Sequence, residues 1–176
     1  ILIPEIPYDI EKVAESILAR SSKGKRFSIV AVAEGAMSKE GAKKINKIVE
    51  KKDKAEGEDK YHLKLQLKDL EKQYTGQTML LAEQLQKLTS LESRVTILGH
   101  LQRGGTPSAA DRLLSTRLGT AAIEFINEGK FGIMVGAKGD HAVPVPLDEV
   151  VGIVKKVPPD HPWVKSARNV GTSFGD

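Results

Sequence analysis

The feature that most constrains this chain is the run Phe27-Ser28-Ile29-Val30-Ala31-Val32-Ala33, nearly all apolar and rich in Val and Ile. Continuous apolar runs without polar alternation suit strands buried on both faces, as in parallel sheets. Ile1 to Ile3 forms a second strand candidate. Between the two, Ile10, Val13, Ile17 and Leu18 recur at helical spacing, Asp9 is placed to cap, and Ser21 to Lys25 ends the helix. Strand–helix–strand is a βαβ unit, and it predicts an α/β fold with a mainly parallel sheet and helices on both faces.

Further along, Ser38 opens a second helix carrying Ile45, Ile48 and Val49, and Lys51 to Lys60 reads as a charged, exposed loop. From Tyr61 to Thr89 the pattern is helical again. Leu63, Leu67, Leu70 and Tyr74 mark one face, and Leu81, Leu85 and Leu88 mark another. Gly76 predicts a helix pair or a broken helix. Arg94 to Leu98 reads as a short strand. A long helix follows from about Ser108 to Asn127, with Leu113, Leu114, Leu118, Ala121, Ala122 and Phe125 toward the core and Gly129 as its stop. Phe131 to Val135 reads as a buried strand, and Val143 and Val145, flanked by prolines, as an edge segment. Leu147 to Val157 reads as a last helix and Pro158 to Asp176 as a surface tail.

At 176 residues, 40% hydrophobic and 28% charged, the chain can bury a core of its own. No apolar stretch approaches a membrane span, and the absence of cysteine removes disulfide and thiolate chemistry, which fits a cytoplasmic protein. The opening has no secretory signature, does not begin with Met, and reads as a cut with sequence missing upstream. The net charge of +4 suits anionic small substrates or nucleic acid. The lysines from Lys43 to Lys54 are interleaved with Glu and Asp and read as a solvated helix face, and aromatics at only 5% disfavour a stacking platform for single strands.

The densest chemistry lies in Gly99 to Arg112, where a strand ends and a helix begins. In open α/β sheets ligands bind at such strand ends. Gly104 and Gly105 let a ligand approach the backbone, Pro107 suits a first helical turn, and a helix N-terminus favours an anion. His100 and Arg103 add donors from the same turn, and Arg94 stands at the other end of the strand. The residues by themselves define a phosphate or carboxylate site. His62, His141 and His161 are too scattered to suggest a metal, and Asp140 reads as a turn residue.

The run Arg94-Val95-Thr96-Ile97-Leu98-Gly99-His100-Leu101-Gln102-Arg103-Gly104-Gly105-Thr106-Pro107-Ser108, followed by Asp111-Arg112, resembles the sugar-phosphate signature of 6-phosphofructokinases. Ile3-Pro4-Glu5, Lys23-Gly24-Lys25 and Ile29 to Gly35 resemble upstream family segments in the same order. The resemblance covers most of the chain except roughly Lys51 to Leu85, where longer members carry helical insertions. It implies that residues 1–176 are the C-terminal sugar-phosphate-binding part of such an enzyme, of small-domain type, with an insertion at about 51–90 and an N-terminal donor-binding domain absent.

By that resemblance Glu34 matches a carboxylate that bonds sugar hydroxyls, and His100 and Arg103 match the grip on the 6-phosphate of fructose 6-phosphate. Arg94 matches an arginine reaching a neighbouring subunit's sugar phosphate, which implies a homo-oligomer with shared sites. Lys23 and Lys25 match a turn that binds a nucleotide effector in allosteric relatives. The parent would move a phosphoryl group to the 1-hydroxyl, using ATP or pyrophosphate and Mg²⁺. Phosphoryl transfer needs a donor cradle, metal ligands and a base. The family's donor loop and catalytic Asp segment have no counterpart here, so no catalytic residue and no metal ligand is assigned, and the chain alone is expected to be inactive. The rival readings are a regulatory or scaffolding domain of the same fold and a basic nucleic-acid module. Neither nucleic acid nor membrane is the expected partner.

Overall fold

A computed structural model describes all residues, Ile1–Asp176. They form two compact units, one of Ile1–Thr96 with Lys156–Asp176 and one of Ile97–Lys155. The content is mixed helix and strand, as an α/β chain requires.

In the first unit, α1 (Ile10–Ser22) starts where Asp9 accepts from the Glu11 amide at 3.1 Å. It ends in a Schellman turn: Lys25 N–H donates to Arg20 O, Gly24 N–H donates to Ser21 O, and Gly24 sits at φ +76. Helix α2 (Lys39–Lys54) is capped by Ser38, whose hydroxyl accepts from Gly41 N–H. It packs on α3 (Gly57–Tyr74). A Cβ at Gly41 would stand 2.8 Å from Tyr74 Cδ1, so the glycine is what lets the two helices approach there. Lys44 seals the same contact, donating to the Tyr74 hydroxyl at 2.7 Å and pairing with Glu40 at 2.6 Å. Gly76, at φ +70, turns the chain into α4 (Thr78–Thr89), which packs on α1.

The core of this unit joins Leu2, at 1% exposure, to Val13, Ala14, Ala36, Leu81 and Leu85. Burying one such leucine contributes about 1.5–3 kcal/mol. A second cluster joins Ile6 to Val164 and Phe174. Val164 comes from α6 (Pro162–Asn169), capped by His161 Nδ1, which accepts from Trp163 N–H at 3.2 Å. The last residues are tied down as well. Asp9 N–H donates to Gly175 O at 2.6 Å, and Arg168 grips the Asp176 carboxylate through two bonds of 2.9 and 2.6 Å.

In the second unit, α5 (Ala109–Asn127) packs on an antiparallel hairpin of β1 (Ile133–Lys138) and β2 (His141–Pro146). The hairpin turn is Gly139-Asp140, with Gly139 at φ +58. Asp140 is thus a turn residue, its carboxylate 3.9 Å from Arg117 of α5. Gly129, at φ +72, follows the α5 terminus.

Several sequence expectations fail. The mainly parallel sheet does not form: the hairpin is the one sheet, and parallel pairing is limited to single bridges of Leu2 with Val32 and Tyr8 with Ser38. Ile1–Ile3 is too short to pair along the whole Phe27–Ala33 run, which leaves Phe27 73% and Ile29 81% exposed. Arg94–Leu98 finds no ladder partner and is irregular. The supposed loop Lys51–Lys60 is mostly helix, because Lys, Glu and Asp extend α2 to Lys54 and open α3 at Gly57. Leu147–Val157 is one 3-10 turn, Leu147–Glu149, followed by irregular chain, with Gly152 at φ +81. The tail carries α6 instead of wrapping the surface. In α5, Leu113 is 73% exposed and Leu114 is also exposed; Ala121 is the buried residue of the second unit, since the hairpin covers only part of the helix.

Candidate functional site

The motif Gly99–Arg103 is a 3-10 helix, opened by Gly99 at φ +49 and held by Leu101 N–H to Leu98 O at 3.0 Å and Gly104 N–H to Leu101 O at 3.2 Å. A 3-10 helix has about three residues per turn, so side chains at i and i+3 lie in register. His100 and Arg103 are such a pair, and both are exposed. The structure therefore brings these two predicted residues onto one face of one turn. Beyond them Gly104 is extended and Gly105 lies at φ +106, a conformation suited to glycine. A Cβ at Gly105 would meet nothing within 4 Å, so its backbone is open to a ligand.

The helix N-terminus that follows is not bare. Ser108 caps α5 and Asp111 completes a capping box: the Ser108 hydroxyl accepts from Asp111 N–H at 3.2 Å, and Asp111 Oδ2 accepts from Ser108 N–H at 2.8 Å and from the hydroxyl at 2.7 Å. The hydroxyl bond, then the backbone bond, holds the Asp111 carboxyl below the usual carboxylate range. The anion expected at this N-terminus is supplied by the protein itself, and Pro107 precedes the cap instead of occupying the first turn. The Ser-x-x-Asp spacing is readable in the sequence. A phosphate at this motif would be gripped by the His100–Arg103 face and the Gly104–Gly105 backbone.

The other predicted residues lie in the first unit. Glu34 is exposed in the turn after Val32, where Ala36 N–H donates to Ala33 O and Gly76 N–H donates to the Glu34 carbonyl at 2.9 Å. A Cβ at Gly35 would stand 3.0 Å from Pro4 Cγ, so the turn sits tightly on the Ile3-Pro4-Glu5 segment. Lys23 and Lys25 are exposed on the Schellman turn of α1. Arg94 lines a cleft of ≈ 500 Å³ that also takes in Lys25, Phe27 and Leu85. Its Nε donates to Glu92 Oε1 at 2.9 Å, with both side chains largely in solvent. The segment leading to Arg94 is anchored on α4, where Gln86 Oε1 accepts from Ser93 N–H at 3.0 Å and the buried Thr89 hydroxyl accepts from Leu91 N–H at 3.3 Å. Gln86, Thr89 and Glu92 carry no motif, and their roles appear only in three dimensions.

No three His, Asp or Glu side chains gather as a metal site. No helix is long and apolar enough to cross a membrane.

The family model described as phosphofructokinase matches residues 1–126, which include Glu34, Arg94, His100 and Arg103. The chain belongs to the phosphofructokinase family. It is 48% identical over 179 residues to an ATP-dependent 6-phosphofructokinase of Propionibacterium freudenreichii, all of this chain aligning to 48% of that protein. Proteins of the same name from Spirochaeta thermophila and Chloroflexus aurantiacus are each 44% identical, again over all of this chain and over 44% and 43% of their own lengths. The chain thus spans about half the length of the curated phosphofructokinases it matches.

Proposed function

We propose that this chain is the sugar-phosphate-binding part of a 6-phosphofructokinase, which moves a phosphoryl group to the 1-hydroxyl of fructose 6-phosphate. The observation that carries the reading is the shared face of His100 and Arg103 on a single 3-10 turn beside an open glycine backbone. A guanidinium and an imidazole three residues apart on one 3-10 turn suit a phosphate better than a neutral ligand. In this reading Glu34 bonds sugar hydroxyls, and Arg94 serves the sugar phosphate of a neighbouring subunit in a homo-oligomer. ATP is the donor we assign, since the similar proteins are ATP-dependent 6-phosphofructokinases. In this reading donor cradle, base and Mg²⁺ ligands belong to a donor-binding domain outside this chain, and Asp140 stays a turn residue of the hairpin.

The hydrogen bonds of the Lys23-Gly24-Lys25 turn already serve the helix end, and the effector role we assign to the two lysines rests on their exposed charge and the resemblance.

The test is an assay of the intact protein with fructose 6-phosphate and either ATP or pyrophosphate, beside purified 1–176. The intact protein should form the bisphosphate with ATP, and 1–176 alone should form none. Turnover by 1–176 would place the chemistry inside this chain. Absence of sugar-dependent turnover by the intact protein with both donors would reject the assignment.

A further inference from the structure

We propose that Glu92 and Gln86 are positioning residues that brace Arg94 for phosphate. The inference rests on the reading of Arg94 as a sugar-phosphate contact. An arginine on irregular chain, with most of its side chain in solvent, is a poor phosphate ligand unless something fixes it, because each rotamer frozen on binding weakens the complex. The segment Ser90–Thr96 has no ladder to hold it. What it has is a chain of bonds running from α4 to the guanidinium.

The chain begins in the core. Thr89 is buried, its hydroxyl donating to Leu85 O at 2.7 Å and accepting from Leu91 N–H at 3.3 Å. Ser90 then turns the backbone through the left-handed region, at φ 57 and ψ 20. One turn back on the helix, Gln86 reaches out and its carboxamide oxygen accepts from Ser93 N–H at 3.0 Å. This fixes the Glu92–Ser93 peptide, one residue before Arg94. Finally Glu92 Oε1 accepts from Arg94 Nε at 2.9 Å. A bond to Nε orients the guanidinium plane without using its two terminal nitrogens, which remain available for two parallel bonds to a phosphate. Leu81 and Leu85 root the same helix in the core, so the brace stands on a packed element. Helix α4 belongs to the arm that the sequence marks as an insertion, and the brace gives that arm a task.

The experiment is steady-state kinetics of the intact enzyme with Glu92→Ala, Glu92→Gln, Gln86→Leu and Arg94→Ala. Exposed pairs of this kind contribute modestly, so Glu92→Ala should raise KM for fructose 6-phosphate about two- to fivefold, with kcat and the donor KM unchanged. Glu92→Gln should restore the wild-type KM, because its carboxamide oxygen accepts the same Nε–H. Gln86→Leu should act in the same direction as Glu92→Ala, and combining the two should approach Arg94→Ala. Glu92 is exposed, so its variants fold, and a thermal scan identifies any fold defect in Gln86→Leu. If Arg94→Ala raises KM while Glu92→Ala leaves it unchanged or lowers it, the brace is rejected and Arg94 keeps its role. If Arg94→Ala leaves KM unchanged, the phosphate role of Arg94 is rejected and the brace with it.

Discussion

Ser108 and Asp111 hold each other at the start of α5, the serine hydroxyl 3.2 Å from the aspartate amide and the aspartate carboxylate 2.8 Å from the serine amide. Ser108→Ala should therefore destabilise the intact protein by about 1 kcal/mol, read from urea unfolding. The pH dependence has a definite sign. The Asp111 carboxyl lies below its ordinary value because Ser108 bonds the charged form. Its contribution is then full above the unfolded carboxylate range and is lost as pH falls through the lowered folded value. Asp111→Asn should lose stability at neutral pH and little below that window. Equal unfolding midpoints for Asp111→Asn and wild type at neutral pH would rule out the box as a stabilising device.

Gly41→Ala tests the α2–α3 contact. Alanine favours a helix over glycine by about 1 kcal/mol. Here its Cβ would stand 2.8 Å from Tyr74 Cδ1, and the ring is held by Lys44. Overpacking of this kind costs about 1–3 kcal/mol, so the variant should melt lower. A higher melting temperature would show that the helices separate freely.

The arm should exchange its amide hydrogens unevenly. Helix α4 buries Leu81, Leu85 and Thr89, whereas α3 buries none of its residues. Local opening follows burial, so α4 amides should outlast those of α3. Equal exchange along both helices would contradict the packing.

If Arg94 serves a neighbouring subunit, Arg94→Ala chains mixed with chains defective in the donor site should recover part of the activity. Each defect then falls in a different composite site, and some hybrids contain an intact one. A complete lack of recovery in demonstrated hybrids would remove the shared site.

What the sequence revealed follows the physics of each element. Asp9, Ser38 and Ser108 all cap helices, because capping depends on residues one turn apart. Gly76 breaks the arm between α3 and α4 for an equally local reason. Two of the misreadings involve partners far away in sequence. Phe27–Ala33 has the composition of a buried strand, but a strand needs a ladder, and Ile1–Ile3 offers only the bridge at Leu2. Leu113 lies on the apolar stripe of α5 beyond the reach of the hairpin. The candidate site divides in the same way. His100 and Arg103 were legible because their motif is contiguous, whereas Gln86 and Glu92 carry no motif and matter only through bonds to Ser93 and Arg94.

In the proposed role His100 and Arg103 grip a phosphate that does not react. Charge-assisted bonds contribute roughly 1.5–3 kcal/mol, so Arg103→Ala in the intact enzyme should raise KM for fructose 6-phosphate about ten- to a hundredfold. In the proposed arrangement the donor site lies outside this chain, so the donor KM should barely change. The deciding measurement is that pair of KM values for Arg103→Ala beside wild type. A large rise for the sugar phosphate alone is the predicted result, and an unchanged sugar-phosphate KM would contradict it.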